Sequence, residues 1–182
     1  MLFYMLQANS SIQPAAIAPA QQSLLSRVRL VLDPRGGDLV ECLVEPLRAG
    51  GFEVVVEKFA SDSVYAPDEL VLYSVGCLTC RIAEDFDHDS LRRVHSAVTA
   101  AGGRLHMLVR QMSGWYADAE DLQHSTEETM SETLPGCNVP VHVVRTNRHR
   151  QPFGEDMQFL VSRLSSVVER REQPVNPPQQ QP

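Results

Sequence analysis

Two pairs of adjacent glycines constrain the fold of this chain more than any other feature of its sequence. Gly50-Gly51 and Gly102-Gly103 each stand between a segment with helical periodicity and a short apolar run. Glycine is the usual residue just after a helix, because it adopts backbone conformations that other residues avoid. A helix that ends in glycine and leads directly into a strand indicates strand–helix–strand units with parallel strands.

The remaining apolar patterns extend this arrangement along the chain. Four helices are expected: over about 39–49, after the cap signal of Asp87 to Ser90, near 117–130, and over about 155–170. Pro46 should kink or break the first of them. Short apolar runs predict five strands, at 28–32, 52–59, 70–75, 104–110 and 139–144. The sequence therefore predicts an α/β three-layer sandwich with a five-stranded, mainly parallel sheet in the flavodoxin-like strand order 2-1-3-4-5.

Composition predicts a single α/β domain over residues 26–173. Residues 1–25 contain no charged side chain and residues 174–182 are rich in Pro and Gln, so both are predicted to be disordered tails. The formal net charge of −7 argues against a nucleic-acid or anionic-membrane binder, since both need a basic surface. No apolar run approaches the roughly 20 residues that span a bilayer. Four cysteines without a secretory signal favour the cytoplasm.

The predicted strand order places a crevice at the carboxyl edge of the sheet. Strands one and three flank the point where the order reverses, so residues 33–38 and 74–80 should line it. Arg35, Gly36 and Gly37 could present backbone amides to a phosphate, although the turn lacks both the P-loop and the dinucleotide fingerprint. A tight turn explains these residues equally well.

Trp115 follows the fourth predicted strand, where an aromatic ring could stack on a flavin. The Ser/Thr-rich phosphate loop that flavodoxins place after their first strand is missing, and an anchored loop is the simpler interpretation. We therefore expect no cofactor. We also expect no metal, because the cysteines include no second close pair.

A Cys-x-x-Cys pair, Cys77 and Cys80, follows the third predicted strand. At the start of a helix, the dipole would favour the nucleophilic thiolate of Cys77, with Cys80 as the resolving thiol. The segment from Gly76 to Arg81 resembles the active-site turn of thioredoxin-like proteins, and Val139-Pro140-Val141 resembles the proline-led strand that faces their cysteines. This resemblance implies thiol–disulfide exchange. The alternative is that both cysteines are small buried apolar residues at a strand end.

Arg145, Arg148 and Arg150 form the one basic cluster of the sequence, just after the fifth predicted strand. They could bind a carboxylate, a phosphate or an acidic partner segment. They could equally pair with the acidic run of residues 118–132. His106 and His142 fall within predicted strands and are expected to be core or surface residues rather than catalysts.

The sequence contains no complete catalytic or cofactor motif. We therefore expect a non-enzymatic α/β binding or interaction module that recognises a protein or a small anionic partner at the carboxyl edge of its sheet. The alternative is a thiol–disulfide redox protein that uses Cys77 and Cys80.

Overall fold

A computed structural model of the protein describes residues 26–35, 41–58, 63–67, 69–77, 87–112, 119–147, 149 and 151–172. Its strands are β1 (Ser26–Leu32), β2 (Phe52–Lys58), β3 (Leu70–Cys77), β4 (Arg104–Met112) and β5 (Val141–Thr146). Its helices are α1 (Glu41–Ala49), α2 (His88–Ala100), α3 (Ala119–Thr133) and α4 (Gly154–Glu172). The predicted tails, residues 1–25 and 174–182, lie outside the described residues.

The five strands form one parallel sheet in the order β2-β1-β3-β4-β5, which confirms the predicted topology. In the centre of the sheet, Leu30 of β1 lies opposite Leu72 of β3, and Leu72 lies opposite His106 of β4. Helices α2 and α3 pack on one face, whereas α1 and α4 pack on the other. The fold is therefore a three-layer α/β sandwich of the flavodoxin-like kind.

Both faces of the central strands are buried, so these strands are apolar along most of their length. Alternate residues of each strand enter one of two cores. The core under α2 and α3 contains Val31, Val71, Tyr73, Val75, Leu91, Val94, Val98, Met107, Val109 and Leu122. The core under α1 and α4 contains Val28, Leu30, Leu43, Leu47, Leu70, Leu72, Leu108, Val144, Leu160 and Leu164.

The two glycines of each pair have different tasks. Gly51 and Gly102 adopt positive φ angles of 88° and 76°, which favour glycine. A Cβ atom on Gly50 would lie 2.7 Å from Cγ1 of Val161, and one on Gly103 would lie 3.0 Å from Cγ1 of Val98. One glycine of each pair therefore makes the turn, and the other allows the chain to pack closely against a helix.

Helix boundaries follow the sequence signals with local differences. Asp87 caps α2 as predicted, since its carboxylate accepts hydrogen bonds from the backbone N–H groups of Asp89 and Ser90 at 3.0 and 3.1 Å. Pro46 was predicted to kink or break the first helix, and the break does not occur, because α1 continues through Pro46 to Ala49. The fifth strand begins at Val141, two residues later than predicted.

The connection between β2 and β3 contains no helix in its described residues 63–67. Polar contacts form beside it instead. Tyr65 is buried there, and the guanidinium carbon of Arg29 lies 5.2 Å from the centre of its ring. Arg29 also donates to the carboxylates of Glu57 and Glu69. A partly buried network of ion pairs thus lies beside the described part of this connection.

Candidate functional site

The strand order reverses between β1 and β3, and this point is where open α/β sheets usually bind ligands. We call the region at the carboxyl ends of these strands the carboxyl-edge crevice, defined by Asp33, Arg35, Ser74, Asp87 and Arg110. The backbone N–H of Asp33 donates to the carbonyl oxygen of Ser74 at 3.0 Å. This hydrogen bond brings together the two segments that the sequence places in the crevice.

Asp33 is the central side chain of the crevice and is only 1% exposed. Its Oδ2 accepts hydrogen bonds from the Tyr73 hydroxyl at 2.6 Å and from the backbone N–H of Asp87 at 2.8 Å. Its Oδ1 accepts from the backbone N–H of Arg35 at 2.7 Å. Burial, together with the hydrogen bond to Asp33, raises the pKa of Tyr73, so this phenol remains a donor. Asp33 therefore joins β1, β3 and the start of α2.

The charge of Arg35 acts on Asp87, the residue that caps α2. The pKa of Asp87 is lowered first by the hydrogen bond from the backbone of Ser90, and further by the bond from Asp89 and by the charges of Arg35 and Arg93. Arg35 itself is exposed. It can therefore contact a ligand while Asp33 holds its backbone in place.

On the other face of the sheet, the crevice contains the buried guanidinium of Arg110. Arg110 lies near the carboxyl end of β4, opposite Gly76 of β3, and is only 2% exposed. Burial raises the pKa of the Cys42 thiol in α1, although the charge of Arg110 opposes this rise. Ser74 Oγ is buried and has no hydrogen-bond partner within the described part of the chain. This face thus contains a buried guanidinium and a buried hydroxyl.

The predicted redox pair is only partly described. Strand β3 extends through Cys77, two residues beyond its expected end, so Cys77 belongs to a strand and not to the first turn of a helix. The next described helix, α2, begins at His88. The Cys77 side chain and the whole of Cys80 lie outside the described residues. Residues 78–86 lie outside the described residues, so the prediction of a helix start at the cysteine pair, with its dipole argument, stays a prediction. Cys77 itself lies at the carboxyl end of the central strand.

Several other predicted site residues lie outside the described residues. They are Gly36, Gly37, Trp115, Arg148 and Arg150.

Arg145 is described, and it is paired within the protein. Its Nε and Nη2 bond to Oδ2 and Oδ1 of Asp156 at 2.9 and 2.6 Å, and its Nη2 also reaches Glu155 at 2.9 Å. The backbone N–H of Arg145 donates to Asp156 as well, at 2.8 Å. Burial alone would raise the pKa of Asp156, but these bonds from Arg145 lower it. Its partners therefore come from α4 rather than from the acidic run 118–132.

The sequence also did not reveal that His106 and His142 are in contact. Nδ1 of His106 lies 2.9 Å from Nε2 of His142, and the rings stack with centroids 5.2 Å apart. His142 is opposite Leu108 in the sheet, so the two imidazoles are diagonal neighbours on one face. Burial lowers the pKa of each histidine to about 4. Only the register of β4 and β5 could have predicted this pair.

Comparisons with known proteins provide no functional assignment. The sequence matches no protein-family model, and no curated protein resembles it closely enough to count as a relative. Among the described residues, no three His, Cys, Asp or Glu side chains cluster in a way that could hold a metal ion. Within those same ranges, every helix is too short or too polar to cross a membrane.

Proposed function

We propose that the protein is a non-enzymatic binding module that recognises an anionic group at its carboxyl-edge crevice. The anionic group belongs to a small ligand or to an acidic side chain of a protein partner. The observation that carries this proposal is the buried guanidinium of Arg110 near the carboxyl end of β4. Arginine stays charged at every relevant pH. The charge of Arg110 therefore contributes a positive electrostatic potential at the edge where such sheets bind ligands.

The two arginines of the crevice have complementary roles. Arg35 is exposed and can form a charge-assisted hydrogen bond with an oxyanion. Arg110 is buried and acts through its field, since a unit charge about 8 Å away gains about 2 kcal/mol at an effective dielectric constant of about 20. The Ser74 hydroxyl adds a neutral donor on the same side as Arg110. Together these groups favour an anion, because the carboxylates of Asp33 and Asp87 already accept hydrogen bonds from Tyr73 and from backbone N–H groups.

We expect inorganic phosphate to bind in the crevice of the full-length chain and to shift the backbone amide resonances of residues 74–77 and 110–112. Arg35→Gln removes the contacting cation and should weaken phosphate binding about tenfold, as for the loss of one charge-assisted hydrogen bond. Arg110→Met keeps the shape of the side chain and should weaken binding to a similar extent.

The matched control is Arg48→Gln, which removes an equal charge from the exposed face of α1, where Arg48 pairs with Glu45. This variant should bind phosphate as the wild type does. If the crevice amides do not respond to phosphate, or if all three variants bind equally well, the proposal is wrong. Thermal melting of each variant separates lost binding from lost structure.

The thiol–disulfide alternative is supported by the position of Cys77 at the carboxyl end of β3. Under this alternative, iodoacetamide at neutral pH should label Cys77 much faster than Cys42 or Cys137, as measured by mass spectrometry of proteolytic peptides. Cys42 should react slowly, because burial raises the pKa of its thiol and little thiolate is present. Cys137 is exposed and sets the rate of an ordinary accessible thiol. Labelling of Cys77 no faster than of Cys137 would contradict the redox function.

A further inference from the structure

The opposite edge of the sheet contains a separate cleft, which we call the amino-edge cleft. It is formed by the start of β4, from Gly103 to His106, by residues 138–140 before β5, and by His95 and Thr99 of α2. Its volume of about 560 Å3 lies within the range of about 300–1,000 Å3 that is usual for small-molecule sites. The strands separate it from the carboxyl-edge crevice, so the two regions can be tested independently.

The ionisable groups that line this cleft are all basic. Arg104, His95 and His106 face it, and no aspartate or glutamate lines it within the described ranges. The chain has a net charge of −7, but its carboxylates do not line this cleft within the described ranges. The neutral polar side chains of Thr99 and Asn138 add hydrogen-bonding groups.

Arg104 provides the permanent positive charge of the cleft. Its side chain donates from Nη1 to the backbone carbonyl oxygen of Val167 at 3.2 Å. This bond orients the guanidinium without neutralising its charge, because a carbonyl oxygen carries no formal charge. No carboxylate of the described residues forms an ion pair with Arg104. The nearby Glu69, whose backbone carbonyl accepts from the N–H of Arg104, has its carboxylate bonded to Arg29 instead.

His106 connects the cleft to the buried histidine pair. It lines the cleft, whereas His142 lines a different groove beside α4. If His106 donates from Nδ1 to Nε2 of His142, its own Nε2 is left for the cleft. A proton on that Nε2 makes His106 a cation that still keeps its bond to His142.

We propose that the amino-edge cleft is a second ligand site, specific for a small organic oxyanion, with Arg104 as the principal cation and His106 as a proton-dependent one. The polar groups named above would hold the carboxylate, sulfonate or phosphate group of the ligand. The apolar side chains of Leu105, Val139, Pro140 and Val167, which also line the cleft, would contact the body of the ligand. This composition, apolar walls with a few polar groups, is typical of small-molecule sites.

Binding should be linked to proton uptake by His106. In the unbound protein, burial and the neighbouring His142 and Arg104 lower the pKa of His106 to about 4. Arg163 acts on His142 in the same direction, and His95 is a further basic group on the cleft. An anion between these groups favours the charged imidazole and raises its pKa. Affinity should therefore rise several-fold when the pH falls from about 7.5 to about 5.5.

The experiment uses the full-length chain and two permanently ionised probes, benzenesulfonate and methanesulfonate. Both carry the same charge, so a difference between them reports contact with the apolar walls. We expect benzenesulfonate to bind more tightly and to shift the amide resonances of residues 103–106 and 138–139. Arg104→Gln should weaken binding at least about tenfold, and His106→Gln should abolish the rise in affinity at low pH. Inorganic phosphate and phenyl phosphate then show whether phosphates are accepted as well as sulfonates.

Arg48→Gln is again the matched control, because it removes one exposed charge far from the cleft. Equal affinity of Arg104→Gln and Arg48→Gln would overturn the proposal, as would perturbations spread over the whole surface. A rise in affinity at low pH that persists in His106→Gln would overturn the role of His106. Arg104 is exposed, so its replacement should leave the melting temperature nearly unchanged. The Arg35→Gln and Arg110→Met variants should bind benzenesulfonate normally, which separates this site from the carboxyl-edge crevice.

Discussion

Replacing Leu72 with aspartate is expected to abolish folding. Leu72 is fully buried in the middle of β3, opposite Leu30 of β1 and His106 of β4. An aspartate at this position would place a carboxylate among leucine side chains, at a cost of several kcal/mol. A domain of this size has a total stability of only about 5–15 kcal/mol. Circular dichroism and thermal melting should therefore show loss of the cooperative transition.

The corresponding control is Glu120→Ala, at an exposed position in the first turn of α3. Surface substitutions of this kind usually change the free energy of unfolding by no more than about 0.5 kcal/mol. A normal spectrum and a cooperative melt for Leu72→Asp would contradict the assignment of β3 as the central strand. The position of the carboxyl-edge crevice would then be wrong as well.

The replacement Glu69→Gln should produce the second large loss of stability. The Glu69 side chain is 0% exposed, and its Oε1 lies 2.9 Å from Nε of Arg29 and 3.3 Å from Nε of Arg27. Its Oε2 accepts from the backbone N–H of Ala66 at 3.2 Å. Removing one partner of a buried ion pair costs about 3–5 kcal/mol when the other charge is left unpaired, and the loss should lie toward the lower end here because Glu57 still pairs with Arg29. Urea denaturation measures this loss as a lower transition midpoint at constant slope.

A second variant separates the pairing of charges from the packing of side chains. The double replacement Arg29→Met with Glu69→Leu removes both charges and keeps apolar volume, so it should recover part of the stability that Glu69→Gln loses. Glu57 then lacks Arg29 but keeps its hydrogen bond from the Ser63 hydroxyl. The exposed pair of Arg48 and Glu45 is the reference, since its disruption should cost no more than about 1 kcal/mol. A double variant as unstable as Glu69→Gln would show that hydrogen-bonding geometry, rather than unpaired charge, dominates here.

The sequence predicted those parts of the fold that depend on local signals. The glycine pairs, the cap at Asp87 and the apolar runs all act within a few residues of themselves, and the structure bears them out. The same holds for the strand order, because parallel strands joined by right-handed crossovers leave few alternatives. The first helix is not broken at Pro46, because tertiary packing, with Leu43 and Leu47 both buried, outweighs the loss of one backbone hydrogen bond.

The candidate sites were less predictable, because their contacts join distant parts of the chain. Asp33 looks like an ordinary turn residue, yet its carboxylate accepts a bond from the backbone of Asp87, 54 residues later. The contact between His106 and His142 depends on the register of two strands. Arg145 was predicted just after the fifth strand, whereas β5 continues through it to Thr146. Its pairing with Asp156 depends on how the chain returns to α4.

The segment that leads from β5 to α4 also determines which partners the outward backbone groups of β5 have. Arg145 directs both its N–H and its C=O away from β4, and they bond to Asp156 and to the backbone N–H of Phe153. Thr146 forms a bridge with Pro152, which has no N–H to offer. The last two residues of this edge strand therefore cannot serve as a template for a strand of another molecule. By occupying these groups, the protein protects this end of its sheet from edge-to-edge aggregation.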